Sequence, residues 1–226
     1  TSRNQDGSSY SIYQQRYSAQ GTAVGGEVRV NTTASAQYDN TVTALTDGGW
    51  LVSWASWAQD GDAGGIFQQR YSAQGTTVGG EVQVNTTTTN EQDYASVTAL
   101  PDGGWLVSWE SLGQDGNDGG IYQQRYTASG EPTGGEVQVN TTTAGHQFDP
   151  RVTALADGGW LVTWMSPDGS ATGIYQQRFT ETGTPTGGES RVNITTSSGQ
   201  ENPRMTGLND GGWLVSWTSS NQDGDP

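Results

Sequence analysis

The sequence predicts an all-β fold, a β-propeller of four four-stranded antiparallel blades, on three observations. One unit recurs four times and leaves no stretch of the chain outside it. Each copy reads as four short strands parted by turn dipeptides. The phrase NQDG stands at both Asn4–Gly7 and Asn221–Gly224, as though one loop had been cut to make the termini.

The repeat is explicit. DGGW begins at Asp47, Asp102, Asp157 and Asp210, with spacings of 55, 55 and 53 residues. QQR begins at Gln14, Gln68, Gln123 and Gln176, and VN at Val30, Val84, Val139 and Val192. Units of roughly 40–55 residues carrying four strands have the length of a propeller blade.

Within one unit, SVTAL (Ser96–Leu100) is followed by the turn PDGG and then by WLVSW (Trp105–Trp109). Period-two alternation puts Trp105, Val107 and Trp109 on one face. A polar loop leads to IYQQRYT (Ile121–Thr127), and a turn through ASGEPTGG leads to EVQVN (Glu136–Asn140). β-Branched and aromatic runs bounded by Asp-Gly and Gly-Gly are strand and hairpin signals. No segment sustains a 3.6-residue period, so helix is not expected.

The chain begins just before a third strand (Ile12–Tyr17) and ends just after a second (Trp213–Trp217). The expected organisation is a single domain over 1–226. Its repeats run over about 41–95, 96–150 and 151–203, with a split blade built from 204–226 plus 1–40. Joining the termini in one blade removes an open sheet edge. The alternative is an eight-bladed ring of two chains that exchange halves of the split blade, so self-association is an expected partner mode.

Composition bounds the partners. There is no Cys, and all nine basic residues are Arg, against 24 carboxylates and a net charge of −15. Such a surface repels phosphate backbones and anionic lipid, which excludes nucleic acid as a partner. The apolar runs fall far short of the roughly 20 residues needed to span a bilayer, which excludes membrane insertion. Divalent cations and neutral ligands such as glycans or a cell-surface polysaccharide fit better. An extracellular or cell-surface location is expected, with nine Trp and nine Tyr supplying the core.

Loop lengths single out one face. The one–two and three–four turns have constant length in all four copies, whereas the two–three and four–one connections vary. Variable loops on a fixed scaffold carry binding sites. The second Trp of each unit ends its strand on that side. Trp54, Trp109, Trp164 and Trp217, with Trp57 present in one copy alone, are therefore the candidate ligand-binding residues, as platforms for a sugar ring. The loop acids Asp60, Asp62, Asp115, Asp118, Asp223 and Asp225 are the candidate metal ligands. Their natural ion is Ca²⁺, which takes six to eight oxygens, although the spacing is not that of an EF-hand and Asp-Gly is also a plain turn signal.

Other polar residues recur. Arg16, Arg70, Arg125 and Arg178 together with Glu27, Glu81, Glu136 and Glu189 suggest a repeated ion pair. Asn31, Asn85, Asn140 and Asn193 match the N-glycosylation pattern, but their constant position points to a structural turn. The residues that break the symmetry are Trp57, Glu110, His146, Met165 and Glu201, and His146, the single His, reads as a solvated loop residue. No nucleophile–base pair is apparent, so the chain is expected not to be an enzyme.

The unit DGGWLVSWESLGQDGNDGGIYQQRYTASGEPTGGEVQVNTTT resembles a repeat of large secreted bacterial proteins, the haemolysin-type calcium-binding and adhesin-like surface proteins. The resemblance covers all four copies and implies a secreted or surface location and a role in adhesion. Their nonapeptide calcium repeat, G-G-x-G-x-D, is missing here. The architecture is also similar to that of propeller lectins. The expected function is multivalent, lectin-like carbohydrate recognition without catalysis; the alternative is a structural or assembly repeat with no small ligand.

Overall fold

The computed structural model describes residues 10–221 and divides the chain into two compact units, Thr1–Ala95 and Ser96–Pro226. Sixteen strands lie among the described residues. In the first unit, β1 (Tyr13–Tyr17) and β2 (Ala23–Arg29) form a two-stranded sheet. β3 (Gln37–Ala44), β4 (Trp50–Trp57), β5 (Gly64–Tyr71) and β6 (Thr77–Gln83) form a four-stranded sheet in sequence order. β7 (Gln92–Ala99), which crosses the division, continues into β8 (Trp105–Leu112), β9 (Gly119–Tyr126) and β10 (Pro132–Gln138) as a second such sheet. In the second unit, β11 (Phe148–Ala154), β12 (Trp160–Pro167), β13 (Thr172–Phe179) and β14 (Pro185–Arg191) form a third. β15 (Gln200–Gly207) and β16 (Trp213–Ser219) pair alone. No helix among the described residues is long and apolar enough to cross a membrane.

The expected all-β, antiparallel, four-strand pattern is present. The closing blade is not: β1–β2 and β15–β16 stand as separate pairs rather than as one four-stranded sheet. The NQDG copies fall outside the described residues except for Asn221.

Each repeated motif has a local cause. In the DGGW turn, Asp47 Oδ1 accepts the Gly49 amide at 2.8 Å, and Gly48 sits at φ 83°. A Cβ on Gly49 would stand 2.2 Å from the Tyr71 carbonyl oxygen. The turn therefore needs its first glycine for a left-handed backbone and its second for close approach. Gly104 meets the Tyr126 carbonyl in the same way, at 2.2 Å.

QQR serves three ends. The first Gln receives the indole N–H of the following repeat: Trp50 Nε1 donates to Gln14 Oε1 at 2.8 Å, and Trp160 Nε1 to Gln123 Oε1 at 2.9 Å. The second Gln fills a bulge in its own sheet. Between β9 and β10 the register shifts between Thr133 and Val137, and Gln124 Nε2 donates to the Thr133 carbonyl at 3.3 Å. That bulge is why β10 begins at Pro132, inside the expected turn. A bulge frees backbone groups from the ladder, and this side chain satisfies one of them. The Arg pairs with the Asp of its own DGGW turn, Arg70 with Asp47 at 2.7 Å and Arg125 with Asp102 at 2.5 Å. Its guanidinium also lies over the next repeat's Trp, 5.8 Å from the ring centroid for both Arg16 on Trp50 and Arg125 on Trp160.

The Asn of each VN is a buried clamp. Asn140 Oδ1 accepts the Ile121 amide at 2.8 Å, while Nδ2 donates to Thr142 O at 3.0 Å and Gln147 Oε1 at 3.1 Å. All four Asn side chains are about 3% exposed, so none presents its amide for a glycan.

The cores follow from the Trp pattern. In the first unit Ile12, Val30, Val52, Trp54, Phe67 and Tyr71 pack together. In the second, Leu106, Ile121, Val162, Trp160, Trp164 and Phe179 do so with their neighbours. Cross-strand stacks fix the register: Trp50 on Tyr71 at 5.4 Å and Trp160 on Phe179 at 5.6 Å. Such rings bury roughly 150–250 Å² each.

Candidate functional site

The second-Trp platform is corrected. Trp54, Trp109 and Trp164 are 0% exposed, held inside their sheets with no open ring face for a ligand. Trp109 and Trp164 lie near Tyr122 and Tyr175, at 6.5 and 6.4 Å between centroids. Burial wins because this position points into the sheet stack wherever a neighbouring sheet covers it. Trp217 is half-buried, its Nε1 donating to Gln200 Oε1 at 2.8 Å. Trp57, at the end of β4, is 49% exposed and offers an open ring.

The loop acids act as turn residues. Asp60 Oδ1 accepts the Asp62 amide at 3.3 Å, Asp62 Oδ2 the Asn90 amide at 2.9 Å, and Asp115 Oδ1 the Asn117 amide at 3.0 Å. Asp118 lies exposed in the same loop as Asp115. Among the described residues no three His, Asp or Glu side chains gather as a metal site requires. Asp223 and Asp225 lie outside the described residues.

The expected Arg–Glu pair is also corrected. The Arg side chains choose the DGGW aspartates because that turn lies on their own sheet beside them. The Arg70 hydrogen bond holds the Asp47 carboxyl below the usual carboxylate range, helped by the Gly49 amide. Glu189 and Glu81 instead clasp the preceding repeat. Glu189 Oε2 accepts the amides of Thr141 at 2.6 Å and Thr142 at 3.1 Å, and Glu81 Oε2 accepts the Thr32 amide at 2.9 Å.

The open space lies elsewhere, beside the first Trp of a repeat. In the first unit a cleft of 230 Å³ is lined by Gln14, Arg16, Val24, Gly25, Gly26, Val28 and Trp50, with Gln74 and Gly75. In the second unit a cleft of 310 Å³ is lined by Gln176, Arg178, Thr186, Gly187, Gly188, Ser190 and Trp213, with Leu161. The first seven positions of each set match in the repeat. Both clefts open between strands three and four of one repeat and the Trp that starts strand two of the next. This is the side of the constant turns, not of the variable loops that the sequence favoured.

The glycine pair on strand four is the informative part of the cleft. Gly25 and Gly187, at φ 73° and 70°, make the bulge. Gly26 and Gly188 have no such backbone demand, and a Cβ on either would meet nothing within 4 Å. Packing does not ask for glycine there. Its effect is a flat, bare backbone that lines the cleft together with the indole.

A second, asymmetric site lies in the second unit. Glu110 in β8 is almost fully buried, and its Oε1 meets His146 Nε2 at 2.5 Å. His146 keeps its side chain 44% exposed in its loop, as expected of a solvated loop residue, but it is tied there to Glu110. Burial raises the Glu110 pKa above its ordinary value, with His146 pulling the other way. Asp149, paired with Arg151 at 2.7 Å, is a further charge on Glu110. The buried Gln that opens each first strand (Gln37, Gln92, Gln147, Gln200) was passed over in the sequence. Its recurrence in all four copies was the signal available.

No family model matches the chain, and no curated protein matches it. Solved structures do. The complex of KlAtg21 with the coiled-coil of AgAtg16 is similar at TM-score 0.54 and 12% identity, covering 94% of this chain and 57% of that one. Zg3597, a family 117 glycoside hydrolase of the marine bacterium Zobellia galactanivorans, is similar at TM-score 0.51 and 11% identity, covering 81% and 62%. The Penicillium chrysogenum alpha-L-arabinanase complexed with arabinobiose gives TM-score 0.51 and 14% identity, covering 85% and 56%. This chain thus spans under two thirds of the length of each. At these identities the likeness is one of fold. It overturns the expectation that the chain is not an enzyme, because glycoside hydrolases share this fold.

Proposed function

We propose that this protein is an extracellular or cell-surface module that engages glycans at the clefts between successive repeats. One observation carries the reading: the same arrangement of Trp ring, Gln, Arg and bare Gly-Gly backbone lines an open cleft in each unit. The edge of the indole and the flat strand beside it offer apolar surface to a pyranose, and Gln and Arg donors reach its hydroxyls. Repeated sites on one chain add avidity to weak single-site affinity. A glycan array on the purified chain, run with Ca²⁺ and with chelator, tests it. Binding to a sugar class that is lost in Trp50→Ala sustains the reading. A blank array under both conditions refutes it and favours an assembly role.

A second reading, cleavage of glycosides, rests on Glu110. A buried carboxyl with a raised pKa beside a His and a second carboxylate has the makings of a general acid. Release of reducing ends from a polysaccharide panel, abolished by Glu110→Gln, supports it; no release from any member sets it aside.

We further infer that β15–β16 and β1–β2 complete one blade, within a chain or between two. Tyr17 is 62% exposed, whereas its counterparts Tyr71, Tyr126 and Phe179 are buried under a Trp. The repeat assigns Trp213 to that role. A solution mass near 23.9 kDa fits closure within one chain, and twice that fits exchange between two.

A further inference from the structure

The two clefts share a frame but not their walls. Positions 24 and 28 are Val and Val in the first cleft; the matching positions 186 and 190 are Thr and Ser in the second. Both valines are exposed, at 44% and 46%, which is where an apolar side chain gains most from a ligand that covers it.

The walls also change what the Gln offers. In both clefts the Gln carbonyl is taken by the indole, Trp50 Nε1 to Gln14 Oε1 at 2.8 Å and Trp213 Nε1 to Gln176 Oε1 at 3.1 Å. That bond orients the amide, leaving Nε2 as the free end. In the second cleft Gln176 Nε2 lies 3.5 Å from Ser190 Oγ, a weak bond at the limit of reach. In the first cleft residue 28 is Val, which has no oxygen to accept, so Gln14 Nε2 is left to donate to a ligand.

Resting on the reading of the clefts as sugar sites, we propose that residues 24/28 and 186/190 set different specificities: the first cleft takes an N-acetylated sugar and the second an unacetylated one. In the first cleft the acetamido carbonyl accepts from Gln14 Nε2, and its methyl group lies against Val24 and Val28. In the second, Thr186 and Ser190 present hydroxyls that a sugar hydroxyl satisfies. An acetyl methyl there would cover polar groups without pairing them, which is unfavourable. One chain would then bridge two kinds of sugar.

The test is titration of the full chain with N-acetylglucosamine, N-acetylgalactosamine, glucose and galactose. The readout is the indole N–H resonances of Trp50 and Trp213 by NMR, assigned with Trp50→Phe and Trp213→Phe. The acetylated sugars should move the Trp50 resonance with roughly tenfold tighter binding than the plain ones, the worth of one hydrogen bond and one covered methyl. The plain sugars should move Trp213. The double variant Val24→Thr, Val28→Ser, whose side chains are exposed, should fold normally and lose the preference at Trp50. If Trp50 responds equally to both kinds, the specificity split is overturned while the clefts remain sugar sites. If neither indole responds to any of the four sugars, the cleft reading itself fails and the split with it.

Discussion

Asn140→Ala should cost this protein a large part of its stability. The side chain makes three good bonds: from the Ile121 amide at 2.8 Å, to the Thr142 carbonyl at 3.0 Å and to Gln147 Oε1 at 3.1 Å. Ile121 and Gln147 are both fully buried, so truncation strands one donor and one acceptor away from water. Each stranded group costs about 1–3 kcal/mol, and the Thr142 bond adds about 1 kcal/mol, for a total of about 3–7 kcal/mol. Against a usual domain stability of about 5–15 kcal/mol that is severe. At roughly 2–4 °C per kcal/mol for a chain of this size, a Tm drop on the order of 10–15 °C follows. Urea unfolding followed by Trp fluorescence measures it. Asn140→Asp separates the roles: it keeps the acceptor for Ile121, loses both donors, and places a charge beside Asp115, whose Oδ2 stands 3.4 Å from Asn140 Nδ2. It should be as harmful at neutral pH and partly recover in acid. If Asn140→Ala unfolds within about 1 kcal/mol of the parent, the clamp is not what ties strand three to strand one.

Gly104→Ala should prevent stable folding, because its Cβ would meet the Tyr126 carbonyl at 2.2 Å, whereas Gly135→Ala, with nothing within 4 Å, should leave the melting curve unchanged. Trp57→Ala should likewise be near neutral for stability, while Trp109→Ala, at a fully buried site, should destabilise by about 3–5 kcal/mol in urea titrations. Glu110 has a folded pKa raised from 4.5, so the fold favours its protonated form. Its contribution is present below pH 4.5 and is lost as pH rises through the folded pKa. The stability difference between Glu110→Gln and the parent should therefore shift in favour of the variant from pH 4 towards pH 7; a pH-independent difference would show that the carboxyl ionises as freely folded as unfolded.

What the sequence made legible was whatever a strand or a turn demands locally. DGGW, QQR and the alternation of WLVSW each encode a hydrogen bond or a face that repeats at fixed spacing, so the sixteen-strand pattern could be read before any coordinates. Partner choice was less legible, because it depends on which side chains adjacent sheets bring together. Arg125 had two acidic candidates in every repeat, and the choice of Asp102 over Glu136 rests on the DGGW turn lying beside β9. His146 and Glu110 are 36 residues apart and meet because of a β8–β11 neighbourhood that no short motif announces.

The second-Trp platform fails for a related reason. Loop variability points to the second Trp, a residue the sheets consume as core. The clefts instead sit on the constant side, where repetition hides them. In a tandem repeat, invariance among copies records both what the fold needs and what a repeated site needs. The two are separated by asking what a substituted atom would touch. A Cβ on Gly49 strikes a carbonyl oxygen at 2.2 Å, so that glycine belongs to the fold. A Cβ on Gly26 or Gly188 touches nothing within 4 Å, so the fold does not explain those glycines, and the open cleft beside them is where an explanation has to be sought.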